Sequence, residues 1–241
     1  MKTVLVTGGT KGIGKAIALE FLKQGCEVVI NYCNDEREAL ATQEEFNMLG
    51  YCPVLMRADV SDEMQVRSMF KEFFTIYDKL DVLVNNAGIS LIRVIQDTTL
   101  AEWNRIFAVN VNSAFLCSRT VADKMIGNGG GCIINISSIW GEVGASCEVA
   151  YSASKGALIS FTKALAKELA PSKVRVNCVS PGVIDTQMNA DLTGEEMEQL
   201  VMQIPIGRIG SPEEVARACV YLSEAEYVTG EVLSVGGGFA K

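Results

Sequence analysis

The sequence predicts an α/β fold in which a doubly wound parallel sheet of about seven strands carries helices on both faces. Short apolar runs alternate with segments of helical apolar spacing along the whole chain. Glycines and other turn residues separate these segments, and no linker, repeat or low-complexity tract interrupts them. With 241 residues, 49% of them apolar, the chain can bury one large core. We therefore expect a single domain over residues 1–241.

The apolar runs predict strands near residues 3–7, 27–32, 52–57, 81–85, 131–137, 174–180 and 231–235. Helical spacing predicts helices between them, near residues 13–24, 36–49, 62–77, 99–126, 150–170 and 212–223. Because strand–helix–strand units cross over with one hand, this alternation predicts a parallel sheet. Such sheets bind ligands outside the carboxyl ends of their strands. We expect the functional residues at that edge.

The first predicted strand leads directly into a glycine-rich turn, and an amphipathic helix follows it. A glycine motif between a strand and a helix is the context that predicts a dinucleotide site. Glycines let the backbone approach a pyrophosphate, and the helix N-terminus supplies N–H donors and a partial positive charge. We expect the whole turn to contact the cofactor, through Gly8, Gly9, Thr10, Lys11, Gly12, Ile13 and Gly14.

Tyr151 and Lys155 lie four residues apart in the predicted helix over residues 150–170, so they project from one face. A free tyrosine has a pKa of ~10, and a cation held nearby favours the phenolate. The pair is therefore a candidate acid–base group in which Lys155 lowers the pKa of Tyr151. The chain has no histidine, which argues against a histidine base, a Ser-His-Asp triad and a metal site.

Further motifs follow the predicted strands, and the full set resembles the short-chain dehydrogenase/reductase family over essentially the whole chain. The family's motifs match this sequence, in order, at Thr7–Gly14, Asn85–Gly88, Asn110, Ser138, Tyr151, Lys155 and Pro181-Gly182. Among its members, the chain looks most like the bacterial 3-oxoacyl-acyl-carrier-protein reductases. The resemblance implies a Rossmann-type sheet, and it implies hydride transfer between a nicotinamide and a carbonyl or alcohol carbon.

Four catalytic residues are implied by this resemblance. Tyr151 would protonate the carbonyl oxygen, and Lys155 would lower its pKa and bind the nicotinamide ribose. Ser138 would hold the carbonyl oxygen, and Asn110 would support a water that links Lys155 to solvent. The resemblance also implies cofactor contacts at Asn31, Tyr32, Asp59, Val60, Asn86, Ala87, Gly88, Tyr151, Lys155, Pro181, Gly182, Ile184 and Thr186.

The second strand indicates which nicotinamide cofactor binds. NAD-binding folds usually carry an acid at the end of this strand, but here the strand ends in Asn31 and Tyr32. Asp35 fits the start of the next helix better. Lys11 stands where NADP-dependent members of the family carry a basic residue, and a cation there can pair with a 2′-phosphate. We expect NADP(H). Asp59 has a second interpretation, as the cap of the helix that begins near Ser61.

The ketone substrate stays open between several classes. A 3-oxoacyl thioester on an acyl carrier protein, as in fatty acid biosynthesis, would need basic residues to receive the acidic carrier. Residues 127–131 lack them, although Lys173 and Arg175 are nearby. Residues 137–148 resemble the reductases that finish the aminopentanone-modified lysine of elongation factor P. Glu142 and Glu148 border the pocket there and suit a cationic substrate.

Two further interpretations carry less weight. One is a steroid or small-polyol dehydrogenase, and the other is a non-catalytic redox-sensing member of the fold, which usually loses the Tyr or Lys that this chain keeps. Residues 184–208, with a short amphipathic helix from Asp191 onward, are expected to cover the substrate as a lid.

Composition argues against several partners. The net charge is −8 without a basic run, so nucleic acid is not expected. No apolar run approaches the roughly 18 residues of a membrane span, and no signal peptide is evident. We expect eight reduced cysteines and a cytoplasmic protein. The family resemblance implies a homotetramer that pairs through the helices near residues 99–126 and 150–170 and the last strand.

Overall fold

The computed structural model describes residues 1–187 and 193–239. Its strands are β1 (Thr3–Val6), β2 (Glu27–Tyr32), β3 (Val54–Arg57), β4 (Val82–Asn85), β5 (Gly131–Ile136), β6 (Val174–Pro181) and β7 (Val232–Val235). They form one sheet in the order β3-β2-β1-β4-β5-β6-β7, and every neighbouring pair is parallel. The predicted fold class is confirmed, and each strand lies within two residues of its predicted bounds.

The helices lie between the strands, as a doubly wound fold requires. They are α1 (Gly12–Lys23), α2 (Glu36–Met48), α3 (Glu63–Ile76), α4 (Leu100–Phe107), α5 (Ser113–Gly127), α6 (Trp140–Val143), α7 (Val149–Leu169), α8 (Gly194–Met202) and α9 (Pro212–Glu224). Side-chain caps define several starts. Asp35 Oδ1 accepts the N–H of Glu38 at the start of α2, which confirms the placement of Asp35.

Each face of the sheet has its own apolar core, because successive residues of a strand point to opposite faces. Val4 and Val6 of β1 belong to the core that contains α1 and α9, where Phe21 is fully buried. Leu5 between them belongs to the core that contains α3 and α5, where Phe70 is fully buried. This packing fixes the strands, so their carboxyl ends form one stable edge.

The helix predicted over residues 99–126 is present from residue 100 to residue 127, but a π-helical segment, Ala108–Asn112, inside it divides it into α4 and α5. In this wider turn Ser113 Oγ donates to the carbonyl of Val109, and the side chain of Asn110 is buried. Single π-turns inside helices often mark functional sites. Apolar spacing does not reveal them, since the residues on either side keep a helical period.

Three smaller features complete the description. Helix α6 and two 3-10 turns, Ile95–Asp97 and Ala170–Ser172, were not predicted.

Helix α8 lies in the predicted lid segment, but Asp191 and Leu192, where that helix was expected to begin, fall outside the described residues. Within residues 1–187 and 193–239, no helix has both the length and the apolar character needed to cross a membrane. All eight cysteines are free thiols.

Candidate active site

The glycine turn joins β1 to α1 and is closed by backbone contacts that only glycine permits. Gly8 and Gly12 have positive φ angles, +60° and +53°, in the region that favours glycine. A Cβ on Gly14 would lie 2.3 Å from the carbonyl oxygen of Gly8. No side chain among the described residues caps α1. Its first N–H groups are therefore available to an anion.

The loop after β4 is tied directly to this turn. Asn86 Nδ2 donates to the carbonyl oxygens of Thr7 and Gly8, at 2.9 and 3.0 Å. The Thr7 hydroxyl oxygen accepts the backbone N–H groups of Asn86 and Ala87, both at 3.0 Å. These bonds place Asn86 and Ala87 beside the glycine turn, at the edge predicted for motifs that follow strands.

Asn31 has a different position from the one expected of a direct cofactor contact. Its side chain is buried, and its Oδ1 accepts the N–H of Gly8 at 3.4 Å. Its Nδ2 donates to the carbonyl oxygens of Met56 and Ala58, at 3.3 and 3.0 Å. The amide therefore joins β2 and β3 to the glycine turn from inside the protein. Tyr32, the next residue, is partly exposed at the edge.

Asp59 does not cap α3, so that second interpretation is wrong. Asp62 is the N-cap, and its carboxylate accepts the N–H groups of Met64 and Gln65. Asp59 Oδ1 instead accepts the backbone N–H and the hydroxyl of Ser61, at 2.9 and 2.6 Å. Val60 beside it is buried. Both residues lie just after β3, at the edge where the adenine was expected.

Arg57 is a candidate cofactor residue that the sequence interpretation missed. It ends β3 and is in register with Tyr32 of β2. Its Nε donates to the carbonyl of Cys33 at 3.2 Å, and the side chain is exposed. The guanidinium thus lies at the end of β2, where dinucleotide folds distinguish a ribose hydroxyl from a phosphate. The sequence feature that could have identified Arg57 is a basic residue at the end of an apolar strand.

Ser138, Tyr151 and Lys155 converge at the ends of β5 and β6, and all three are buried, with exposed fractions of 7%, 8% and 4%. The Ser138 side chain interacts with the Tyr151 hydroxyl and lowers its pKa. Lys155 Nζ lies 5.6 Å from the centroid of the Tyr151 ring and donates to the Ile136 carbonyl at 2.8 Å. The expected common face of Tyr151 and Lys155 is confirmed.

The direction of the Tyr151 pKa differs from the expectation. Burial raises the pKa of Tyr151 to about 12, the Glu148 carboxylate adds to the increase, and the hydrogen bond with Ser138 opposes it. Burial also lowers the pKa of Lys155 to about 8. The prediction of a lowered tyrosine pKa is wrong for the chain by itself, because desolvation by burial has the largest effect on it. The phenol is therefore protonated at neutral pH.

Asn110 connects three elements behind this group. Its Oδ1 accepts the N–H of Ile89 at 2.8 Å, and its Nδ2 donates to the Ile89 carbonyl and to Ser154 Oγ, both at 2.9 Å. A Cβ on Gly88 would lie 3.3 Å from Asn110 Oδ1 and 3.4 Å from Lys155 Nζ. The π-turn thus places Asn110 next to Lys155 and fixes the loop after β4.

Gly141 is a positioning residue that no sequence motif indicated. A Cβ there would lie 2.6 Å from the carbonyl carbon of Lys155 and 2.8 Å from the nitrogen of Gly156. Ser137 Oγ donates to the carbonyl of Lys155 at 2.8 Å. Helix α6 therefore packs directly on the α7 backbone, and this contact sets the spacing between Ser138 and Lys155.

The segment after β6 returns to the glycine turn. Pro181 ends the strand, and the chain then leads through Gly182 to Ile184, which is buried. Thr186 lies above Gly12, since its Cγ2 would be 3.5 Å from a Cβ built on that glycine. The structure therefore brings this predicted set to the same edge as the motifs after β1, β4 and β5.

Comparisons with known proteins agree with this geometry. A family model described as enoyl-(acyl carrier protein) reductase matches residues 8–240. The 3-oxoacyl-[acyl-carrier-protein] reductase FabG of Aquifex aeolicus is 41% identical, over 98% of this chain and 96% of its own length. An uncharacterized oxidoreductase of Bacillus subtilis, YmfI, is 39% identical over 99% of this chain and 98% of its own length.

A crystal structure agrees as well. It belongs to a protein provisionally named gluconate dehydrogenase from Agrobacterium tumefaciens, has a TM-score of 0.96 and 32% identity, and covers 100% of this chain and 96% of its own. The chain belongs to the short-chain dehydrogenase/reductase family. This short-chain dehydrogenase/reductase is therefore an oxidoreductase that acts on CH–OH or C=O groups with a nicotinamide cofactor.

The residues present fit such a cofactor. The glycine turn leaves backbone N–H groups at the uncapped start of α1, which suits a pyrophosphate. Gly88 has no side chain in front of Asn110 and Lys155, so the nicotinamide end of such a cofactor would have space next to Lys155. No group of His, Cys, Asp or Glu within residues 1–187 and 193–239 is arranged to hold a metal ion.

Proposed function

We propose that this protein is a cytoplasmic reductase that converts a ketone into a secondary alcohol with NADPH, by chemistry of the 3-oxoacyl-acyl-carrier-protein reductase type. One observation carries the proposal. Ser138, Tyr151 and Lys155 are buried together beside a glycine turn with an uncapped helix N-terminus. This arrangement joins a cofactor site to a protonated phenol, which is what reduction of a carbonyl needs.

Each catalytic side chain has a proposed role. The Tyr151 hydroxyl donates its proton to the carbonyl oxygen, which Ser138 holds in line through its own hydroxyl. The ammonium of Lys155 stabilises the phenolate as it forms. Asn110 is a positioning residue that keeps Ile89 and Ser154 in place and supports the water through which Lys155 exchanges protons with solvent. The nicotinamide supplies the hydride when it is bound.

The proposed cofactor is NADP(H), because two exposed cations, Lys11 and Arg57, lie near the ends of β1 and β2. Lys11→Ala is expected to raise the KM for NADPH roughly 10- to 100-fold, since a charge-assisted hydrogen bond contributes about 1.5–3 kcal/mol. The KM for NADH should change little. Steady-state kinetics with both cofactors measures this.

Lys15→Ala is the matched control, because this lysine of α1 pairs with Glu45 at 2.7 Å. It should leave both KM values close to those of the wild type. Equal increases for NADPH and NADH in Lys11→Ala would show that Lys11 does not recognise the 2′-phosphate. Arg57→Ala tests the second cation in the same way.

The first candidate substrate is a 3-oxoacyl thioester on an acyl carrier protein, which the printed name of the Aquifex aeolicus relative supports. Fewer basic side chains are available to bind this acidic carrier than the sequence suggested. Arg175 donates to the carbonyl oxygens of Leu222 and Ser223, at 2.6 and 2.9 Å, so its guanidinium is used inside the protein. Of Lys173 and Arg175, the two basic residues near residues 127–131, this leaves Lys173 to contact the carrier protein.

The second candidate is an aminoketone formed on a protein lysine. Glu148 favours it, because this acid lies three residues before Tyr151 and its carboxylate has no partner among the described residues. A substrate panel with NADPH separates the candidates: acetoacetyl thioester free and on the carrier protein, an aminoketone, and a hydroxysteroid in the reverse direction. Absence of cofactor turnover with every member would contradict the proposed reduction.

We also propose a homotetramer. Large apolar side chains are exposed along α4 and α5, including Leu100 at 74%, Phe115 at 42% and Ile126 at 39%, and burial of such side chains favours association. Light scattering at micromolar concentration is expected to give a mass close to four chains. A species of 26.0 kDa, the mass of one chain, would contradict the proposal.

A further inference from the structure

The hydroxyl of Thr42, in the middle of α2, makes a hydrogen bond outside its own helix. A threonine inside a helix commonly donates to the carbonyl four residues earlier, as Thr120 of α5 does to Leu116 at 2.7 Å. Thr42 Oγ1 instead donates to the carbonyl of Thr10 in the glycine turn, at 2.8 Å. Both threonines of this pair are buried, and Thr42 completely so. The contact therefore joins α2 to the turn inside the protein.

Helix α2 is well placed to support the turn, because it is packed on both sides of Thr42. Ala39 and Phe46 are fully buried and lie on the same helical face as Thr42. Phe46 belongs to the core that contains α1 and α9. At the surface, Glu45 pairs with Lys15 of α1 at 2.7 Å. The hydroxyl of Thr42 thus comes from a helix whose position relative to α1 is fixed.

The other side-chain bonds to the turn are at its beginning. Asn86 Nδ2 donates to the carbonyl of Gly8 at 3.0 Å, and Asn31 Oδ1 accepts the N–H of Gly8 at 3.4 Å. Among the described residues, the bond from Thr42 is the side-chain hydrogen bond that reaches the second half of the turn, next to Lys11. Thr42 therefore holds a part of the turn that the two asparagines do not.

The bond fixes the peptide that joins Thr10 to Lys11. Its carbonyl is held by Thr42, whereas its N–H, that of Lys11, has no hydrogen-bond partner within residues 1–187 and 193–239. The backbone of Lys11 is extended, with φ −150° and ψ 164°, and its side chain is exposed and forms no ion pair in the same part of the chain. The direction of Lys11 thus depends on the peptide that Thr42 holds.

We infer that Thr42 is a positioning residue for recognition of the 2′-phosphate, because it holds the backbone from which Lys11 presents its ammonium. This inference rests on the proposed preference for NADP(H) and adds a buried residue of α2 to it. Without the hydroxyl, the peptide loses its constraint, and ordering of Lys11 would then oppose binding. The first N–H groups of α1 depend instead on the packing of Gly14 against Gly8, so binding of a pyrophosphate should persist.

Fluorescence titrations with NADPH and NADH test the inference without a ketone. Thr42→Val removes the hydroxyl and keeps the branched shape of the side chain. It should weaken NADPH binding about three- to tenfold, the range that one hydrogen bond contributes, and change NADH binding by less than about twofold. The kcat at saturating NADPH should stay close to the wild-type value. Thr42→Ser keeps the hydroxyl and should retain most of the NADPH affinity.

The matched control is Thr120→Val, which removes a hydroxyl that is bonded within its own helix and should bind both cofactors like the wild type. Melting temperatures show whether each variant is folded. Thr42→Ala removes the same hydroxyl without adding volume, so it replaces Thr42→Val if the valine is not tolerated. Equal weakening of NADPH and NADH would assign the hydroxyl to the turn as a whole and overturn the inference.

A double-mutant cycle shows whether Thr42 acts through Lys11. In the Lys11→Ala protein, Thr42→Val should weaken NADPH binding by less than about twofold. Losses that multiply in the double variant would show that the two residues act independently, and they would overturn the inference. Unchanged NADPH binding in Thr42→Val would also overturn it, while a wild-type preference for NADPH would leave the proposed cofactor standing. Wild-type binding of NADH as tight as that of NADPH would contradict the proposed cofactor and this inference together.

Discussion

Tyr151→Phe is expected to lower kcat for ketone reduction by about 10²–10⁴-fold, the range that a positioned proton donor contributes. The phenol is the proton donor proposed at the carbonyl, and its raised pKa of about 12 keeps it protonated at neutral pH. Affinity for NADPH should stay close to the wild-type value, because the aromatic ring is retained. Steady-state kinetics and a fluorescence titration with NADPH measure the two effects.

Tyr77→Phe is a suitable control for this variant. Tyr77 lies at the end of α3, where its ring packs 5.1 Å from that of Phe73, and it has no proposed part in the reaction. Its loss of a hydroxyl should leave kcat unchanged. Turnover of Tyr151→Phe at the wild-type rate, at any pH, would exclude Tyr151 as the proton donor.

Gly14→Ala is expected to abolish measurable NADPH binding and to lower the melting temperature. The added methyl group would lie 2.3 Å from the carbonyl oxygen of Gly8 and 2.4 Å from Asn86 Nδ2. Both contacts are far inside van der Waals distance, so the glycine turn must move away from the loop after β4. Overpacking of this kind costs about 1–3 kcal/mol, and each kcal/mol lowers the melting temperature by roughly 2–4 °C.

Gly127→Ala provides the control, because a Cβ at that position meets nothing within 4 Å. It should retain wild-type stability and NADPH affinity. Normal NADPH binding by Gly14→Ala would show that the turn can widen without losing its ligand site, and it would contradict the tight cradle described above.

The parallel sheet and the edge that holds the site could be predicted from the sequence because they depend on local chemistry. Alternation of apolar strands and amphipathic helices leads to a parallel sheet, and motifs that follow strands must meet at one edge. The common face of Tyr151 and Lys155 likewise follows from a spacing of four residues on a helix. None of these inferences needs knowledge of long-range packing.

Other properties depend on which groups the fold brings together. The pKa of Tyr151 is raised because tertiary packing buries its side chain. The four-residue spacing to Lys155 indicated only a nearby positive charge, from which a lowered pKa was expected. The π-turn that buries Asn110 breaks a helix whose apolar period is continuous.

The sequence by itself thus determined the fold class, the edge that holds the site and the residue types at the reaction centre. Tertiary structure alone decided how those groups are charged and paired. It separates Glu148 from Glu142, because Ser234 reaches one carboxylate and nothing described reaches the other. Spacing along a chain reports direction and periodicity, whereas desolvation and pairing depend on neighbours that are distant in sequence.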